Sequence, residues 1–273
     1  YFIYNLSSFL KNNINNNTWN NLAINSSGTF YFIYNSTSTQ VALNVNNNSI
    51  TTGFTRLAAA AGTTYFYYSF GSSLGTSTQT MSNNNFSNYS ATTLGTGTFY
   101  GIYNQDGATA QYPKKTIFNN TFSNITHNSS GSFYGLTVSY LGDGSTTQGT
   151  LVYNNTLNNI TSQGTQYLLY TGGIASANQP AKFYNNTVTN ITNNSLTGST
   201  FGVYGFASGT APYVEIYNNK IAGLTTATTT GKLYGFYGLS TANYRVHNNY
   251  IGSLTASGAM TTTMPAPAIA GIY

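Results

Sequence analysis

An Asn-Asn pair returns eight times along this chain inside a nearly fixed apolar frame. The unit is clearest in TIFNNTFSNIT (Thr116 to Thr126). It recurs as LVYNNTLNNIT (Leu151 to Thr161), KFYNNTVTNIT (Lys182 to Thr192), EIYNNKIAGLT (Glu215 to Thr225) and RVHNNYIGSLT (Arg245 to Thr255). Looser copies lie near Asn16, Asn47 and Asn83. The first Asn of each pair is Asn16, Asn47, Asn83, Asn119, Asn154, Asn185, Asn218 and Asn248, at successive intervals of 31, 36, 36, 35, 31, 33 and 30 residues. A period of about 33 residues held over eight copies demands a repeat architecture, in which each unit buries its apolar face only against its neighbours.

Between the Asn pairs lies a second recurring block. It reads TFYFIYN (Thr29 to Asn35), TYFYYSF (Thr64 to Phe70), TFYGIYN (Thr98 to Asn104) and SFYGLTV (Ser132 to Val138), then QYLLYTG, TFGVYGF and KLYGFYG. Short aromatic and β-branched runs bounded by Gly, Ser, Thr and Asn are strand signals. No stretch shows helical spacing of apolar residues. Each unit therefore holds three short strands: the aromatic one, one entering the Asn pair and one leaving it. That pattern is an all-β parallel β-solenoid of about eight rungs, spanning about 38 Å at the usual strand spacing. The single solenoid domain runs over residues 1–273, read as a segment of a longer chain because both ends carry the aromatic half of a unit. An antiparallel sandwich or propeller of similar blades is the alternative.

The inward columns follow from alternation along a strand. Two residues before the first Asn stand Met81, Ile117, Val152, Phe183, Ile216 and Val246; three after it stand Trp19, Ile50, Phe86, Phe122, Leu157, Val188, Ile221 and Ile251. Alternation also turns the first Asn inward, where a side-chain amide must be hydrogen-bonded. In-register stacking supplies partners above and below, so the first-Asn set is expected to form the Asn ladder. The second Asn is expected in the left-handed conformation of a sharp bend, which Asn tolerates better than most residues.

The Asn-rich bend between two short strands resembles the right-handed parallel β-helix of the pectate-lyase-like superfamily. The tandem form, YNNTFxNI followed by GxFYGIY, is similar to repeat segments of large secreted bacterial surface proteins, including those exported by the type IX route. The resemblance implies an extracellular or cell-surface protein. Its implied partners are other copies of itself, neighbouring domains of a longer chain, carbohydrate surfaces or secretion machinery.

Composition narrows the chemistry. Charged residues make up 4% of the chain, which carries 25 Tyr and 16 Phe, no Cys and a net charge of +5. The aromatic excess argues for order rather than low-complexity disorder. The basic residues are scattered, with only Lys114 and Lys115 adjacent, so no stripe matches a run of phosphates and nucleic acid is not an expected partner. No run reaches the length of a membrane-spanning helix. Enzymes of the resembled superfamily use clustered acids, whereas this chain holds only Asp106, Asp143 and Glu215. The reading is non-catalytic, with no cofactor and no metal.

Asp106 and Asp143 precede Gly and read as turn residues at loop tips, with a carboxylate pair or Ca²⁺ site as the alternative. Lys182, Glu215 and Arg245 share an outward column and are expected to form a surface charge ladder. Tyr153, Tyr184 and Tyr217 share the next outward column, continued by His247, which would either stack ring on ring or present a carbohydrate-stacking row. His127 falls elsewhere, so the two histidines make no metal pair. N-x-Ser/Thr sequons occur at Asn5, Asn25, Asn35, Asn88, Asn124, Asn159 and Asn190. The function expected is a structural or adhesive rod, stalk or filament segment; the alternatives are a carbohydrate-binding or polysaccharide-degrading β-helix and a secretion-system cargo.

Overall fold

The computed structural model describes residues 1–6, 10–36, 38, 41–71, 73–107, 113–141, 149–175, 179–208, 213–239, 241–256 and 269–273. Every strand pairing among them is parallel, and successive strands of one sheet come from successive repeats. Among the described residues there is no helix. The chain is a parallel β-solenoid with three long sheets. The aromatic sheet has nine strands, from Ile3–Asn5 to Ile269–Ile272. The sheet entering the Asn pair has eight, from Lys11–Asn15 to Tyr244–His247. The sheet leaving it has eight, from Leu22–Ile24 to Tyr250–Ala256. Asp143 lies outside the described residues.

The pairing register reproduces the sequence phasing. Ile117 pairs with Met81 below and Val152 above, and Phe122 with Leu157 above. The columns read as inward form one continuous core with the inner side chains of the aromatic sheet. Trp19, Val246 and Ile251, in the terminal turns, are only partly buried.

The Asn bend is built the other way round from the expectation. All eight first Asn residues have positive φ, between 53° and 60°, and all eight lie exposed beside a more buried second Asn. A left-handed residue reverses the alternation of side chains, so the first Asn turns out to solvent and the second turns in. The ladder therefore comprises Asn17, Asn48, Asn84, Asn120, Asn155, Asn186, Asn219 and Asn249. In each step Nδ2 donates to Oδ1 of the next Asn at 2.8–3.0 Å. The backbone N–H of the same residue donates to that oxygen as well, for example Asn120 to Asn155 at 3.1 Å. The second amide hydrogen goes to a main-chain carbonyl one turn back, as from Asn120 to Met81 at 3.0 Å. This accounting leaves no buried amide unpaired at the bend.

A second left-handed column explains why two apolar residues stand three apart in a strand whose period is two. Asn88, Asn124, Asn159 and Asn190 have φ of 53–62°, and Gly53, Gly223, Asn21 and Ser253 take the same place in the other turns. In Thr121–Ser129 this gives two outward residues in succession, Ser123 and Asn124, so that Phe122 and Ile125 both face the core.

The return corner, from the leaving sheet to the aromatic sheet, carries a glycine column. A Cβ on Gly131 would sit 2.4 Å from the Gly97 carbonyl oxygen, and one on Gly164 would sit 1.9 Å from that of Gly131. Successive turns approach there backbone to backbone, which only glycine allows.

Candidate functional site

With the interior filled, the outward columns are what this rod presents. The largest covers the aromatic sheet. Counted from the first residue of the strand, the second and fifth positions point out, as Tyr31 and Tyr34 do in Phe30–Asn35, while Phe32 and Ile33 between them point in. The result is two parallel columns of rings. Tyr1, Tyr31, Tyr65, Tyr100, Tyr134 and Tyr167 stack face to face with centroids 4.6–5.1 Å apart. Phe201 continues that column at 5.3 Å. Tyr4, Tyr34, Tyr68 and Tyr103 form the second column at 5.0–5.3 Å. It is interrupted at Thr137, the partner of Tyr103, and resumes from Tyr170 to Tyr204 at 5.5 Å. Across the columns the rings meet edge to face, as Tyr31 and Tyr34 do at 5.0 Å. Both arrangements are favourable for aromatic quadrupoles.

The phenols are packed tightly enough to change their acidity. Burial, then the neighbouring phenols, pushes Tyr68 and Tyr167 up to about 12. Tyr65, Tyr100 and Tyr170 shift upward for the same reasons. The face is therefore a neutral strip of half-buried rings. The sequence showed the aromatic block; the missed signal was a pair of tyrosines three residues apart in turn after turn.

The entering sheet carries the column read from sequence. Phe118, Tyr153, Tyr184, Tyr217 and His247 stack within 9° of parallel at 4.9–5.2 Å. Each inner ring has a neighbour against both faces, so the column presents ring edges sideways. Beside it, Lys182 Nζ lies 3.5 Å from Glu215. Arg245 is the Cα partner of Glu215, as the register required, but its guanidinium lies 3.5 Å from the ring centre of Tyr213. The imidazole of His247 takes the other side of Glu215 at 3.3 Å. A ring face close to a guanidinium competes with a partly exposed carboxylate, because solvent weakens the ion pair more than the cation–π contact. The ladder is thus Lys182–Glu215–His247. A cleft of about 340 Å³ opens here between Lys182, Tyr184, Tyr217, Gln179 and Pro180.

Other residues singled out in the sequence are interior. Asp106 is fully buried rather than at a loop tip: Oδ2 accepts from Ser69 Oγ and from Gln79 Nε2 at 2.7 Å. Burial pushes its carboxyl up, against the Ser69 bond, the Lys115 charge and the Gln79 bond. Burial pushes the enclosed Lys115 down, with Asp106 opposing. His127 is enclosed under the return corner with Nε2 3.0 Å from the Gly97 carbonyl oxygen, and burial pushes it down to about 4. Arg56 lies two turns below in the same inward column, separated from His127 by Ala91. Its guanidinium donates to the carbonyls of Ser26 and Gly28 and to Thr64 Oγ1 at 2.7 Å. Alternation from Ile117 already turns Lys115 inward, but nothing in composition marks it or Arg56 as buried.

The sequons divide by geometry. Asn124, Asn159 and Asn190 are exposed on the second left-handed column, whereas Asn35 is wholly buried with its amide donating to Ser69 at 3.1 Å. Among the described residues no group of three or more His, Cys, Asp or Glu could hold a metal ion. No family model matches the chain, and neither a curated protein nor a solved structure does.

Proposed function

We propose that this β-solenoid is a non-catalytic rod segment that works outside the cell or on its surface, as a stalk, filament element or adhesive spacer. The observation that supports this reading is the continuity of the ladders. The Asn ladder passes through every rung from Asn17 to Asn249. The tyrosine stack runs alongside it. Interactions repeated along the axis stiffen a rod rather than shape one pocket. A neutral surface of Asn, Ser, Thr and Tyr suits contact with other surfaces without long-range charge selection. Labelling intact producing cells with an antibody raised against the folded chain tests the location and arrangement together. Label in lines along surface fibres is the expected result; label only after lysis would overturn it.

A second reading is a carbohydrate-binding β-helix. Its support is the cleft beside Tyr184 and Tyr217, where tyrosine edges, Lys182 and Gln179 offer hydrogen bonds of the kind that orient a sugar. Binding to a glycan array that is lost in Tyr184→Ala would favour this reading. An array without signal would leave the rod alone.

A further inference from the structure

Asp106 and Lys115 are both buried at the corner between the aromatic and entering sheets. Neither has any solvent exposure. Asp106 lies two residues beyond the aromatic strand Phe99–Asn104, and Lys115 is the second residue of the strand Lys114–Phe118. Lys115 is the Cα partner of Gln79, whose amide touches Asp106 Oδ2. Lys115 Nζ donates to the carbonyl of Ser139. Ser139 follows Val138, and Val138 is the Cα partner of Asn104, two residues before Asp106. The carboxyl thus reaches toward the preceding turn and the amine toward the following one, near enough for their charges to interact. Among the described residues the ion pairs are those of Glu215, so this pair is enclosed without direct contact.

The two oxygens of Asp106 are unlike. Oδ2 receives the Ser69 hydroxyl and the Gln79 amide, whereas Oδ1 makes no close hydrogen bond, and the Gly71 backbone N–H also acts on the carboxyl. That asymmetry suits acyl transfer at Cγ: donors on the oxygen that gathers charge, and a second oxygen free to take up the protons the amine gives up and leave as water.

We infer that Asp106 and Lys115 are a self-modifying site, at which Lys115 Nζ condenses with Asp106 Cγ to form an intramolecular amide cross-link. Rotation of the flexible lysine stem carries Nζ from the Ser139 carbonyl to Cγ. The Nζ–Cγ bond forms and the Cγ–Oδ1 bond breaks. The two protons that the ammonium gives up leave with Oδ1 as one water, so carboxylate and ammonium become amide and water with no outside reagent. Burial drives both groups toward the reactive neutral forms, the carboxyl by raising its pKa and the amine by lowering its own. A buried acid and a buried amine are replaced by one amide that cannot ionise, whose oxygen keeps the Ser69 and Gln79 bonds. The link closes the segment from residue 106 to 115 and ties the aromatic strand to the entering strand of the same turn, in a chain that has no cysteine.

The intact mass of the whole chain, denatured after folding, tests this. The expected wild-type mass is one water below that of the sequence, with a tryptic peptide pair joined through Asp106 and Lys115 and no cleavage after Lys115. Lys115→Met and Asp106→Ala should show no deficit, and Asp106→Asn should lose one ammonia instead. Asp106-Gly107 can also lose water by closing on its own backbone, but that succinimide needs no lysine and opens in mild alkali. A deficit that survives in Lys115→Met, or a wild-type chain at full mass after long incubation in the folded state, overturns the inference. The wild-type measurement stands whether or not the variants fold.

Discussion

Two polar interiors face each other across this rod, and they follow opposite rules. At the Asn bend, one neutral side chain repeats in every turn, and each copy satisfies the next. At the corners on either side of the aromatic sheet, the polar residues differ from turn to turn. Ser69, Gln79, Asp106 and Lys115 gather at one, Arg56 and His127 at the other. A periodic ladder needs only register, because every rung brings its own partner. An aperiodic cluster needs a particular neighbour at a particular height, and it leaves atoms such as Asp106 Oδ1 and His127 Nδ1 without one. The first arrangement makes a rod; the second makes individual sites within it.

The periodic ladder is most vulnerable in its middle. Asn120→Ala removes an acceptor used twice by Asn84 and a donor used by Met81 and Asn155. With each orphaned buried group costing roughly 1–3 kcal/mol, urea unfolding should show a loss of about 4 kcal/mol. Asn119→Ala, its exposed neighbour, should cost only about 1 kcal/mol for the left-handed backbone, and Asn119→Gly almost nothing. Equal effects at the two positions would contradict the ladder placement.

Gly164→Ala tests the return corner, where the added Cβ meets a backbone oxygen that cannot swing aside. A loss of about 3 kcal/mol is expected in the same assay. Tolerance would mean that the corner is loosely packed.

His127 gives the aperiodic corner a pH signature. Its folded pKa of about 4 lies below the ordinary 6.5, so the unfolded chain binds the proton more tightly. Its contribution is therefore complete above about pH 6.5 and is lost as pH falls toward 4, amounting to about 3 kcal/mol at full extent. The difference in stability between wild type and His127→Ser, followed from pH 7 to 4, should shrink by that order. Taking the difference cancels the opposite trend from Asp106, whose raised pKa favours the folded state on acidification. A flat difference would show His127 accessible to protons in the native state. The smallest effect belongs to the surface: Tyr184→Ala should cost about 1 kcal/mol through its two stacked neighbours, and Tyr184→Phe less.

The fold was legible because a period is a tertiary statement written in one dimension. The intervals between Asn pairs, 31, 36, 36, 35, 31, 33 and 30, are the same ones that separate hydrogen-bonded amides in the structure. Parallel pairing, three strands per turn and the inward apolar columns all follow from stacking equal units in register. Which Asn faces inward did not follow. Alternation assumes extended backbone, and one left-handed residue at each pair inverts it; whether the first or second Asn adopts that conformation is decided by how the bend closes on the turn below. The same blind spot hid Asn124 and its counterparts, which are sequons in one dimension and strand kinks in three. Side-chain partners were less legible still. Lys182, Glu215 and Arg245 were correctly placed in one column, yet a column fixes only Cα neighbours, and Tyr213 competes for Arg245 from outside it. Sequence alone determined the architecture, because repetition forces equivalent residues to meet. Only the tertiary structure decided the burial of Asp106, Lys115, Arg56 and His127, because each occurs once, and a residue without a repeat leaves no periodic trace of what it touches.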